Sequence, residues 1–167
     1  MSLTHPLNRI HTLVSAFLAA AMAATVGTAL AFEHIGGYLP CKLCLEQRIP
    51  YYIGIPVMVL AAISSCLRLP PLVTRLLILA GGLLMVWGLV LAGYHAGVEW
   101  GWWEGPADCA APIASSTGGS LLDQLNAVIP PSCSEASWRF AGLSFAGWNF
   151  IASAVLATIA LGAAFRR

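Results

Sequence analysis

Residues 40–68 read PCKLCLEQRIPYYIGIPVMVLAAISSCLR. Between Arg48 and Arg68 lie 19 residues without Asp, Glu, Lys or Arg, and outward from this stretch the pattern recurs: 23 such residues separate Arg9 from Glu33, 23 separate Arg75 from Glu99 and 26 separate Arg139 from Arg166. At about 1.5 Å of rise per residue even the shortest run approaches the roughly 30 Å hydrocarbon core of a bilayer. The runs are continuous rather than alternating, and in lipid the backbone must satisfy its own hydrogen bonds, so they read as helices and not as barrel strands. The expected fold is an all-α membrane protein, a four-transmembrane-helix bundle forming a single membrane domain over 1–167. Its spans are expected at 10–32, 49–67, 76–98 and 140–165, with connections at 33–48 and 99–139.

Composition agrees. The chain of 167 residues is 59% hydrophobic and 9% charged, with mean hydropathy +0.80, against about 25% charged in a soluble domain. A net charge of +1 with no basic run leaves no electrostatic footprint for nucleic acid. High hydrophobicity excludes disorder.

Charge placement sets the expected orientation. Arg9, Arg68, Arg75, Arg166 and Arg167 fall on one side with no acidic residue. Lys42, Arg48 and Arg139 fall on the other, together with Glu33, Glu46, Glu99, Glu104, Asp108, Asp123 and Glu135. The Lys/Arg excess puts both termini in the cytoplasm. The first segment ends in Ala29-Leu30-Ala31, an A-x-A pattern, but it is longer than a secretory h-region and is read as a retained helix. In the long connection, SLLDQLNAVI at 120–129 has the apolar spacing of one helix face and is too short to span. It is expected to lie on the membrane surface, with a lid on the bundle mouth as the alternative.

Four of the five cysteines, Cys41, Cys44, Cys109 and Cys133, lie in the two outward connections, and Cys66 lies near the opposite end of the second span. Four cysteines in an oxidising compartment and one outside it suit two disulfides and a buried apolar bystander, although four cysteines allow three pairings. Cys41-Lys42-Leu43-Cys44 is a C-x-x-C set just before a helix, where thiol pKa values fall. Arg48, four residues beyond Cys44, shares its face if the helix already runs there. A cation one turn from a potential thiolate is a redox arrangement or an anion site; alone, Arg48 also suits an interfacial snorkelling residue. Zinc is disfavoured because Cys109 and Cys133 lack a second C-x-x-C spacing, so no metal is expected. Cys109 and Cys133 alone could staple their loop. Two exchangeable pairs, one wet and one at the bilayer edge, would form an electron relay from a soluble dithiol to a lipid-dissolved oxidant.

Pro40-Cys41-x-Leu43-Cys44-x-x-Gln47-Arg48 before the second of four helices, with two widely spaced cysteines before the fourth, resembles the bacterial disulfide-bond formation protein B (DsbB) family over the whole chain. The resemblance implies an inner-membrane thiol:quinone oxidoreductase. Cys109 would form the mixed disulfide with a periplasmic DsbA-type thioredoxin-fold partner, and Cys133, its loop mate, would exchange with Cys41. Cys44 would be the thiolate that contacts ubiquinone or menaquinone, and Arg48 would stabilise the negative charge developing on thiolate and quinone. His95, near the outer end of the third span, would meet the quinone head group. The vitamin K epoxide reductase family also combines a bundle, a C-x-x-C and a quinone-like substrate, but carries its active pair on a late helix. Lys42 departs from the family's usual apolar residue between the active cysteines. Trp100, Trp102 and Trp103 are expected in an aromatic belt, Tyr51 and Tyr52 in packing or interface roles, and Glu33, Glu46, Glu99, Glu104 and Asp108 as solvated charges. A static scaffold with two structural disulfides is the rival reading.

Overall fold

The computed structural model describes residues 9–106, 109 and 132–166. Helix α1 spans Arg9–His34, α2 Lys42–Glu46, α3 Ile49–Cys66, α4 Pro71–Glu99 and α5 Phe145–Phe165, with a hairpin of β1 (Arg139–Phe140) and β2 (Leu143–Ser144) before α5. Counting α2 and α3 together from Lys42 to Cys66, four helices are long and apolar enough to cross a membrane. The amphipathic stretch at 120–129, with Asp108 and Asp123, falls outside the described residues.

Helix α3 packs on both α1 and α4, and α4 packs most extensively on α5, whereas α1 and α5 meet only sparsely. The bundle is therefore open along one side. Its core joins Leu18 and Met22 of α1, Tyr51 and Met58 of α3, Ile78 and Met85 of α4, and Leu156 and Ala160 of α5. Close approach of α4 and α5 depends on small residues. A Cβ at Gly82 would stand 2.9 Å from a Leu161 methyl and 3.3 Å from the Ala160 methyl. In lipid, where burial from water does not drive helix pairing, such backbone contact supplies the dispersion energy that does.

Prolines mark two helix starts, Pro50 in the first turn of α3 and Pro71 in that of α4. Pro71 opens α4 four residues before Arg75, so Arg75 lies inside the helix and is 1% exposed, not in a polar connection as its position beside Pro70-Pro71 suggests. Its Nη1 donates to the Ala164 carbonyl at 3.0 Å. That carbonyl belongs to the last turn of α5, where no helical N–H follows to satisfy it. Cys66 also differs from expectation, being exposed on the bundle surface. In the last turn of α3 the inward positions are Ser64 and Ser65, and the next residue is rotated about 100° away from them.

Helix α4 ends in a paired C-terminal turn: Trp102 N–H donates to Gly97 O at 2.9 Å and Gly101 N–H to Val98 O at 3.1 Å, with Gly101 at φ +72°. The turn folds Trp103 back along α4, where its indole N–H donates to Tyr94 O at 2.8 Å. Trp100, Trp102 and Trp103 remain 49%, 65% and 45% exposed. The hairpin was not expected in an all-helical chain. It turns on Ala141 and Gly142, both at positive φ, the two-residue geometry that matches strand twist. It carries Trp138 to within 5.3 Å of Phe32 and 5.0 Å of Phe145, between ring centroids, joining α1 to α5 at one end of the open side.

No atom lies within 4 Å of a Cβ built on Gly101, so Gly101→Ala tests backbone conformation alone. The expected loss is about 1–2 kcal/mol, the cost of a left-handed L-residue, read as a lower midpoint of thermal unfolding in detergent.

Candidate functional site

The chain between α1 and α3 builds the site. Cys41 caps α2, its Sγ accepting from the Cys44 backbone N–H at 3.4 Å. The helix breaks after Glu46 and restarts at Ile49, because Pro50 in the first turn of α3 has no N–H to give the preceding turn. Arg48 sits at this break, not on a continuous helical face with Cys44, yet both side chains line one cavity.

All four outward cysteines come together. Cys109 and Cys133 are disulfide-bonded, and Cys41 and Cys44 are free thiols. Cys41, Leu43, Val98 and Cys133 form one buried cluster against which Cys44, Tyr94 and Cys109 pack. The Cys41 and Cys44 sulfurs are hydrogen-bonded at 3.0 Å, and His95 Nε2 lies 3.7 Å from Cys41 Sγ. The two sulfurs share one hydrogen bond and the Cys44 backbone N–H points at Cys41 Sγ, so Cys41 is the more acidic thiol of the pair. The Cys44 thiol does most to hold Cys41 down from 9.0 to about 4, and the His95 hydrogen bond adds to it, against the opposing effect of burial.

Behind the cysteines runs a chain of buried polar groups. Gln47 Nε2 lies 2.7 Å from His95 Nδ1, and Gln47 Oε1 accepts from Asn149 Nδ2 at 2.6 Å. Asn149 Oδ1 accepts from the Tyr51 hydroxyl at 2.7 Å, and that hydroxyl lies 2.9 Å from Ser153 Oγ. Glu99 Oε1 is 3.8 Å from His95 Nε2, with the Glu99 side chain 4% exposed.

A cavity of about 470 Å³ opens between α1 and α5, where the two helices barely touch. Its walls are largely apolar, including Val26, Phe32, Trp138 and Phe145, and its polar groups are concentrated where Cys44, Gln47, Arg48, Glu33 and Asn149 meet. Arg48 Nη1 donates to Glu33 Oε2 at 2.5 Å. His95 is not on the cavity wall; it stands behind Gln47, against Cys41.

A sequence profile described as "Disulfide bond formation protein DsbB" matches residues 11–163. The chain belongs to this family. Among curated relatives, "Disulfide bond formation protein B" of Polaromonas sp. is 27% identical over 157 residues, covering 89% of this chain and 87% of the relative. The protein of the same name from Acinetobacter baumannii is 26% identical over 166 residues, covering 93% and 92%. One from Ralstonia nicotianae reaches 43% over 72 residues, covering 42% and 40%. No solved structure matches. As a member of the DsbB family with four apolar helices, the chain is an integral membrane protein whose role is in disulfide bond formation.

Sequence reasoning missed several residues of the site. Glu33 is ion-paired to Arg48 and Glu99 is buried beside His95, so neither is a solvated loop charge. Tyr51, 2% exposed, is a hydrogen-bonding member of the polar chain; Tyr52 is exposed. The i,i+4 spacing of His95 and Glu99 was a readable signal for that pair, whereas Gln47 and Asn149 lie 102 residues apart and nothing in the sequence joined them. Cys41, Cys44 and His95 place three potential metal-ligating atoms within 4.8 Å of one another. A closed structural zinc site takes four ligands, and among the described residues no fourth joins them.

In a Cys66→Ala, Cys109→Ala, Cys133→Ala protein, reduced, the ultraviolet absorbance of thiolate should persist as pH falls and disappear only near pH 4. Because the folded pKa is depressed, these hydrogen bonds stabilise the reduced fold fully above the unfolded thiol pKa, about 8.5, and progressively less down to about 4.

Proposed function

We propose that the chain is a quinone-dependent thiol oxidase that reoxidises a periplasmic DsbA-type dithiol protein. The observation that carries this reading is the position of the free Cys41/Cys44 pair between a Cys109–Cys133 disulfide and a cavity that opens between α1 and α5. The residues suit a quinone, since an apolar cavity with one paired cation and one thiol matches a flat apolar ring with polar oxygens. Arg48 and Cys44 would hold it, with Glu33 and Asn149 beside them. When bound, the quinone accepts two electrons and two protons and becomes quinol.

The protein's own steps are thiol–disulfide exchanges. A partner thiolate attacks Cys109 and displaces Cys133 as thiolate. Cys133 attacks Cys41 of an oxidised Cys41–Cys44 pair and displaces Cys44 as thiolate. The partner's second thiolate closes the partner disulfide and releases Cys109, which attacks Cys133, restores Cys109–Cys133 and frees Cys41. Arg48 lowers the energy of negative charge at the cavity end of this sequence. His95 lies against Cys41, so its contribution is to the thiol pair.

Arg9, Arg68 and Arg166 lie toward the bundle end remote from Cys41 and Cys44, which supports cytoplasmic termini in a bacterial inner membrane. The bacterial source of the curated relatives supports the same location. A static scaffold is disfavoured by the free Cys41/Cys44 pair.

Ubiquinone absorbance, followed after adding a reduced thioredoxin-fold dithiol protein to the purified chain, tests the reading. Catalytic quinol formation that Cys44→Ser abolishes is expected; no turnover with ubiquinone or menaquinone from a folded protein overturns it. Cys109→Ser should abolish partner oxidation while chemically reduced Cys41/Cys44 still reduce quinone. Arg48→Ala should weaken quinone reduction roughly tenfold or more, the worth of a charge-assisted contact, with exchange between the cysteine pairs intact.

A further inference from the structure

His95 is 2% exposed and Gln47 6%, so their hydrogen bonds are made within the protein. An amide nitrogen donates and does not accept. Gln47 Nε2 faces both Leu43 O, at 3.3 Å, and His95 Nδ1, at 2.7 Å, while Gln47 Oε1 is held by Asn149 Nδ2. Asn149 is itself oriented, since its Oδ1 accepts from Tyr51. Nδ1 must therefore be the accepting nitrogen of a neutral imidazole, and the ring proton resides on Nε2. There it faces Cys41 Sγ at 3.7 Å and Glu99 Oε1 at 3.8 Å. The titratable groups around it are Cys41 at the cap of α2, Cys44 within α2 and Glu99 from α4. Glu99 Oε2 has no hydrogen-bond partner, which leaves the carboxylate a competitor for the same proton.

We propose that Gln47, oriented by Asn149, is a positioning residue that locks His95 as the Nε2–H tautomer and so keeps a hydrogen-bond donor on Cys41 whenever that sulfur carries charge. In the exchange that frees Cys41, the Cys109 thiolate forms a bond to Cys133, and the Cys41–Cys133 bond breaks. Cys41 leaves with the electron pair, and the Nε2–H bonds to it without transferring its proton. One thiolate enters and one leaves, so no proton has to cross the buried site.

The inference rests on Cys41 being an exchanging cysteine, but its test needs neither quinone nor partner. Nitrogen-15 spectra of histidine-labelled reduced protein, with His95→Gln to assign the signal, should show His95 protonated at Nε2 and bare at Nδ1. Gln47→Glu offers Nδ1 an acceptor in the same volume, and there Nδ1 should acquire a proton. Gln47→Leu should raise the pH of half-ionisation of Cys41 by about one unit, a tenfold loss of thiolate below the midpoint. A wild-type spectrum with the proton on Nδ1 overturns the inference, as does a Gln47→Glu spectrum identical to wild type. If Gln47→Leu fails to fold, those two spectra still decide. A protein that shows the tautomer and never reduces quinone defeats the oxidase reading alone.

Discussion

A buried polar group in a bilayer has no water to fall back on, and the chain from Ser153 through Tyr51, Asn149, Gln47 and His95 to Cys41 answers that constraint. Each member spends its donors and acceptors on the next, so no amide can turn without orphaning its neighbour. This fixes α5 against the segment carrying the cysteines at a level where α1 and α5 are apart. The opening that makes the cavity is compatible with a defined site because Asn149 and Gln47 bridge across its inner wall. Arg75 meets the same constraint only in part: its Nη1 serves a terminal carbonyl of α5, while Nε and Nη2 find no partner among the described residues.

Four helices were legible because charge-free runs of 19 to 26 residues admit no other solution in lipid. Helix ends were less so. Hydropathy registers Arg75 as a boundary, but the helix begins where Pro71 satisfies a first turn. The C-x-x-C pair and the outer pair were visible as cysteines in outward connections, and their proximity follows from a fold that only tertiary packing determines. Glu33 and Glu99 were misread because a carboxylate at the end of an apolar run resembles a solvated cap until its partner is known. Arg48 and His95, brought from 15 and 4 residues away, supply those partners. Gln47 and Asn149 carry no charge and no periodicity, so no local pattern distinguishes them.

The site divides into two environments. On one side of Gln47 are the sulfurs, His95 and Glu99, packed with Val98 and Leu43. On the other is the apolar cavity with Arg48 and Glu33. Cys44 belongs to both, hydrogen-bonded to Cys41 and present on the cavity wall. In the proposed transfer from the thiol pair to a lipid-dissolved acceptor, such a shared atom would be needed, and the groups around Cys41 and those facing the acceptor could be tuned separately.

Pairing Arg48 with Glu33 follows from the same opening. A lone guanidinium facing lipid is costly, and a carboxylate beside it reduces that cost by making the pair nearly neutral. Under the proposed function the pair would also keep an anionic ligand from being held permanently, since Arg48 is already engaged with Glu33. In the proposed oxidase, charge appearing at Cys44 or on a bound acceptor would compete with Glu33 for the guanidinium, so attraction would grow as electrons arrive and fade once the product is neutral. An unpaired arginine would bind any anion from the interface and retain it. The Glu33 carboxylate would therefore make the cation conditional, which suits a site proposed to admit an uncharged molecule and release another.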